Sequence, residues 1–149
     1  MKISGFSLVE LVVTMAILSI LALIAYPSYL SQVTSTRRAD AMGVLLQDAA
    51  YLERLYTLNG CYNAGPDGIC GTSDDNSNQN YPTLPYTQSP ASGNTVYYNI
   101  TFTDITASTY SLKADPSTTP QAKDGSLTLT NTGAQGWAKN PSGNTNSWH

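Results

Sequence analysis

Glu10 stands near the head of an apolar run that carries no further charge before Arg37. A helix of about 20 apolar residues spans a bilayer core, so the run is long enough to do so. A carboxylate in such a segment is costly and marks a functional position that needs a partner. Thr14 and Ser19 share the run, and their hydroxyls are expected to bond back to helix carbonyls rather than to a ligand. Elsewhere the chain is poor in reactive groups. Cys61 and Cys70 are its only thiols and His149 its only imidazole. No Ser/His/Asp or Cys/His set is therefore available for nucleophilic catalysis, and no Gly-rich phosphate cradle links a strand to a helix. The expectation is a protein that is not an enzyme and uses no cofactor.

Cys61 and Cys70 would close a small loop in an oxidising compartment, worth about 3 kcal/mol in the chain-entropy account. Two free thiols are the alternative. A metal site is disfavoured, because there is no second thiol pair and the one histidine is terminal. Asp67, Asp74, Asp75 and Asn76 gather around Cys70. Calcium takes several oxygen ligands, but these residues lack the EF-hand spacing, so a solvated loop is preferred over a calcium site.

The composition fits an exported domain with an anchor. In 149 residues only 11% are charged, against about a quarter in ordinary soluble domains. Ser, Thr, Asn and Gly take their place. The net charge is -3. That argues against nucleic acid as the main partner, since phosphate binding needs a clustered positive field. The available cations are Lys113, Lys123, Lys139 and the helix arginines. Arg37 and Arg38 are read either as contacts to headgroups or neighbouring carboxylates, or as a solvated end to the apolar run.

The elements that must position these residues follow from periodicity. Residues 6 to about 58 read as one long helix, about 80 Å at 1.5 Å per residue. Beyond the apolar run, Val33, Ala41, Val44, Leu45, Ala49, Leu52, Leu55 and Tyr56 recur at spacings of three and four and form one stripe. Polar residues, Asp48 among them, fill the intervening positions. Pro27 predicts a kink or an opened turn, and Asn59-Gly60 a helix stop. Residues 59–94 are rich in Gly and Pro and read as a loop. Alternation then predicts strands over 95–103 (Val96, Tyr98, Ile100, Phe102), 109–114 (Tyr110, Leu112, Ala114) and 126–130 (Leu127, Leu129). Tyr98 is assigned to the core and Tyr97 to cross-strand packing. Gly133 to His149 reads as a tail bearing Trp137 and Trp148.

Gly5-Phe6-Ser7-Leu8-Val9-Glu10 resembles the class III leader and cleavage site of type IV prepilins and pseudopilins. The order Tyr110 to Ala114, Asp124 to Leu129, Thr132-Gly133 and a late Trp148 resembles PilE-like minor pilins of Gram-negative type IVa pili. The resemblance implies an α+β lollipop fold, a long N-terminal helix packed on an antiparallel sheet of three or four strands. It divides the chain into a cleaved leader (1–5), a transmembrane and filament-core helix (6–30), an amphipathic helix half (31–58), a variable disulfide loop (59–94), and a sheet with its tail (95–149). It implies cleavage between Gly5 and Phe6, N-methylation of Phe6, and a role for Glu10, Phe6 and Pro27 in assembly. Glu10 would neutralise the terminal amine of a neighbouring subunit, or only that of its own Phe6. The partners implied are other pilins, a prepilin peptidase, an inner-membrane assembly platform, and lipid before assembly. The chain would rest in the inner membrane with its C-terminal domain periplasmic, then enter an extracellular fibre. The expected function is that of a minor pilin in pilus assembly or initiation. The alternatives are a major pilin, a type II secretion pseudopilin, or a DNA-uptake competence pilin. The family commonly carries a C-terminal cysteine pair, which is missing here: Gly125 or Ser126 and Ser147 stand near those positions.

Overall fold

One α-helix, five short strands and a single 3-10 turn at Gln121–Lys123 make up the regular structure of the computed structural model, which describes residues 7–65, 67–73, 75, 82–117, 121–139 and 148. Helix α1 runs from Leu8 to Asn59 with Pro27 inside it, and the proline does not end the helix. It ends as predicted. Gly60 takes a positive φ of 83° and donates its N–H to the Tyr56 carbonyl at 2.8 Å. This is the left-handed stop that glycine adopts without Cβ strain.

The chain divides into two units, one up to Ser35 and one from Thr36 onward. In the first, every side chain from Ser7 to Tyr29 is exposed, and the helix is long and apolar enough to cross a membrane. In the second, the helix buries Ala41, Val44, Leu45, Asp48 and Leu52. Their spacing keeps them on one face. Asp48 thus lies inside the stripe, where the pattern placed a polar filler.

The sheet order is β1-β2-β3-β4-β5, all neighbours antiparallel. β1 is Gln88–Ser89, β2 Tyr98–Ile105, β3 Tyr110–Pro116, β4 Leu127–Thr130 and β5 Gln135–Trp137. The sheet has five strands, not three or four. β1 falls within the presumed loop and β5 within the presumed tail. Both are too short to show an alternating pattern. In β2, Tyr98 and Ile100 face the core, and a bulge between Phe102 and Asp104 shifts the alternation so that Ile105 is also buried. Tyr98, Ile100, Tyr110, Leu112, Ala114, Leu127 and Leu129 join the helix stripe in one core cluster with Trp148. Each fully buried leucine there contributes about 2 kcal/mol relative to exposure. The Trp148 indole donates to the Thr128 carbonyl at 3.0 Å, satisfying the one polar atom it buries.

Candidate functional site

The chemistry singled out at the N-terminus sits on the first turn of α1. The Ser7 carbonyl accepts the N–H groups of Glu10 and Leu11 at 3.1 and 3.2 Å and so starts the helix. Glu10 lies in that first turn, where the helix dipole favours a negative group. Its side chain is exposed and thus open to a partner outside the chain. Gly5 and Phe6 lie outside the described residues. Thr14 and Ser19 donate to the carbonyls of Leu11 and Met15, each at 2.8 Å, as the sequence predicts.

Arg37 and Arg38 both find partners within the chain. The Arg37 guanidinium lies 3.8 Å from the centroid of the Tyr97 ring, so Tyr97 carries a cation on its face. Arg38 makes a two-point contact with Asp124: Nε to Oδ2 at 2.8 Å and a terminal nitrogen to Oδ1 at 2.9 Å. It also stacks 3.8 Å from the centroid of Trp137. Arg38 is thus held within its own subunit, not offered to a headgroup or a neighbour.

Asp124 is the hub that sequence reasoning missed. It is 5% exposed. The Tyr98 hydroxyl donates to its Oδ2 at 2.6 Å, and Gln121 Nε2 donates to both that oxygen and the Tyr98 hydroxyl. The Trp137 indole donates to the Asp124 carbonyl at 2.7 Å. Burial, reinforced by the Asp124 carboxylate, pushes the Tyr98 phenol well above its usual range. Gly125 makes the approach possible. Its φ is +87°, and a Cβ there would lie 3.1 Å from Lys139 Cβ and 3.2 Å from the Lys139 nitrogen. The Asp124-Gly125 pair signalled a turn, but nothing local signalled a partner 86 residues away.

Cys61 and Cys70 form a disulfide with a Cα separation of 6.1 Å. Beside it, the Tyr62 N–H donates to the Ala107 carbonyl at 3.1 Å. The Tyr62 ring packs between Tyr56 and Tyr110 at centroid distances of 4.6 and 4.9 Å. The hydroxyls of Tyr62 and Tyr110 both donate to Glu53. Burial, with Glu53 adding to it, pushes Tyr62 up to about 12 and raises Tyr110 as well. Within the loop the carboxylates serve backbone amides. Asp67 accepts the Ile69 N–H at 2.9 Å, and Asp75 accepts those of Gly65 and Gly71. Asp74 and Asn76 lie outside the described residues, and no group of metal-ligating side chains occurs among the described ones.

Two family models match the chain. One, described as prokaryotic N-terminal methylation motif, matches residues 1–26. The other, described as type IV minor pilin ComP, DNA uptake sequence receptor, matches residues 27–130. No curated protein matches. Among solved structures, the chain is similar to the non-core minor pilin PilV of Neisseria meningitidis. That likeness has 22% identity and a TM-score of 0.46, over 70% of this chain and 86% of that one. It is also similar to a type IV pilin from Shewanella oneidensis, with 28% identity and a TM-score of 0.43, over 76% of this chain and 98% of that one. With its N-terminus matched by the methylation motif and most of the remainder by the minor-pilin model, the chain belongs to the type IV minor pilin ComP family.

Proposed function

We propose that this protein is a minor subunit that joins a type IV pilus and takes part in its assembly. It is cut between Gly5 and Phe6 by a prepilin peptidase and methylated on Phe6. Its apolar helix half keeps it in the inner membrane, C-terminal domain periplasmic, until the assembly platform passes it into the fibre. The observation that carries this reading is the N-terminal methylation motif joined to a helix whose apolar side chains are exposed from Leu8 to Tyr29. So large an apolar surface is covered either by lipid or by other subunits.

Glu10 supplies register. A terminal amine and a carboxylate that meet in an apolar fibre core each remove the other's desolvation cost, and only one axial offset brings them together. Glu10→Ala is expected to be processed and methylated normally but to be lost from sheared pili. Mass spectrometry of the N-terminus and immunoblots of the sheared fraction measure the two steps. Normal incorporation of the variant overturns the role of Glu10. A chain that keeps Met1 in cells overturns the maturation scheme.

The description of the matching family model, a DNA uptake sequence receptor, favours a second reading in which the subunit also binds DNA. Two of its cations are already engaged, Arg38 by Asp124 and Lys113 by Asp115. Lys139 donates its ammonium to the Lys123 carbonyl at 2.6 Å, which gathers two lysines at one corner. Binding through these two alone gives a salt slope of only about -2. Gel shifts with the detergent-solubilised chain test it. Lys123→Gln with Lys139→Gln should abolish the shift, and no shift of the wild-type chain at low salt removes the DNA reading.

A further inference from the structure

Asp48 is fully buried, between Val44 and Leu45 on one side and Leu52 on the other. Its Oδ1 accepts the Tyr86 N–H at 3.2 Å, and its Oδ2 has no hydrogen-bond partner among the described residues. Tyr86 belongs to a strap, residues 84–89, that runs into β1. The strap is tied further by the β1–β2 pairing and by contacts to Asp40, to β2 and to the residue before it. Ser89 Oγ donates to Asp40 Oδ2 at 2.6 Å. The Thr87 carbonyl accepts the Ile100 N–H at 2.8 Å, and the Ser89 carbonyl accepts the Tyr97 N–H at 2.9 Å. Pro82, Leu84 and Thr87 face Ile100 and Phe102 across a groove of about 370 Å³.

We propose that this strap is a proton-controlled latch, closed on α1 while Asp48 carries its proton and released more readily once Asp48 is ionised. A buried carboxylate with one oxygen unpartnered is poorly solvated in its charged form. Opening the strap returns it to water. The surrounding groups do not relieve that charge. On α1, Asp40 is engaged by Ser89 and Glu53 by the Tyr62 and Tyr110 hydroxyls. Arg38 is committed to Asp124, and Arg54 is exposed. On the strap the titratable group is Tyr86. On the sheet, the Tyr98 and Tyr110 hydroxyls turn to Asp124 and Glu53.

Burial pushes the closed-state carboxyl from 3.8 up to about 6, and the Tyr86 N–H opposes this only in part. The open state therefore releases a proton that the closed state holds. Opening is favoured as pH rises from 3.8 to about 6 and levels off above. Between pH 5 and 7.5 the opening constant should rise about tenfold.

Amide hydrogen exchange on the full chain in detergent micelles, corrected for the intrinsic pH dependence of exchange, reads this directly. The Tyr86, Tyr97 and Ile100 amides should exchange through a local opening, faster than those of the β3–β4 pair, and show the tenfold rise. Asp48→Asn should abolish that rise, and Asp40→Asn should retain it. Strap amides that exchange no faster than β3–β4, a flat pH profile in the wild type, or a profile removed by Asp40→Asn would each overturn the latch. If Asp48→Asn does not fold, the wild-type and Asp40→Asn profiles decide.

Discussion

Removing the Asp124 carboxylate with Asp124→Ala tests whether the hub holds helix and sheet together. The substitution deletes the two-point contact to Arg38, which is itself only 17% exposed, and the acceptor of the Tyr98 hydroxyl. Gln121 still donates to that hydroxyl, whose own proton is then left without an acceptor. Breaking one side of a buried ion pair costs about 3 to 5 kcal/mol. A stranded buried hydroxyl costs about 1 to 3 kcal/mol, and the ion-pair figure covers the whole substitution because Arg38 keeps some access to water. For a domain of this size about 4 °C of melting temperature accompanies each kcal/mol, so a fall of about 12 to 20 °C is expected. Arg38→Met alone should cost less, because Asp124 keeps its Tyr98 and Gln121 donors. The double variant should fall short of the sum by at least about 1.5 kcal/mol, the mark of direct coupling. Urea and thermal unfolding of the detergent-solubilised chain, followed by near-ultraviolet circular dichroism, give all three values. A loss below about 1 kcal/mol for Asp124→Ala, or strict additivity in the double variant, refutes the assignment.

Replacing Cys61 and Cys70 together by serine should lower unfolding free energy by about 3 kcal/mol in the chain-entropy account. The same urea assay measures it, and a double variant as stable as the wild type contradicts the expectation. The tyrosines predict alkaline lability. Tyr62 ionises near 12 when folded but near 10 when unfolded, so the folded state holds its proton more tightly. The stability this contributes is complete below pH 10 and declines as pH rises toward 12. A phenolate absorbance titration should show late-ionising tyrosines, and Glu53→Gln should bring Tyr62 closer to its ordinary value.

The parts of the fold that were legible in the chain are those in which burial imposes a period. The stripe from Ala41 to Leu55 and the alternation in β2, β3 and β4 could be read directly, because each buries one face over several residues. β1 and β5 contribute only two and three residues, too few for a period to declare itself. Asp48 broke the reading of the helix, since a carboxylate at a stripe position looks like a solvent-facing residue until its burial is seen. Arg38 looked like the end of an apolar run because its partner is distant in sequence. The N-terminal motif was legible for a different reason: Gly5, Phe6 and Glu10 form a contiguous signal that needs no tertiary context.

The extra residue in β2 gives the sheet one position that it can spare. Thr103 has no opposite number on β3, and the parity change it introduces leaves Ile105 as the inward residue. Deleting that single threonine would close the bulge and leave a regular ladder, with Asp104 following Phe102 opposite Ser111 and Ile105 still turned inward opposite Tyr110. Natural variants of this chain should therefore tolerate both substitution and loss at position 103, whereas loss of the paired Thr101 would turn Phe102 to the opposite face, a contrast that a deep insertion-and-deletion scan can read directly.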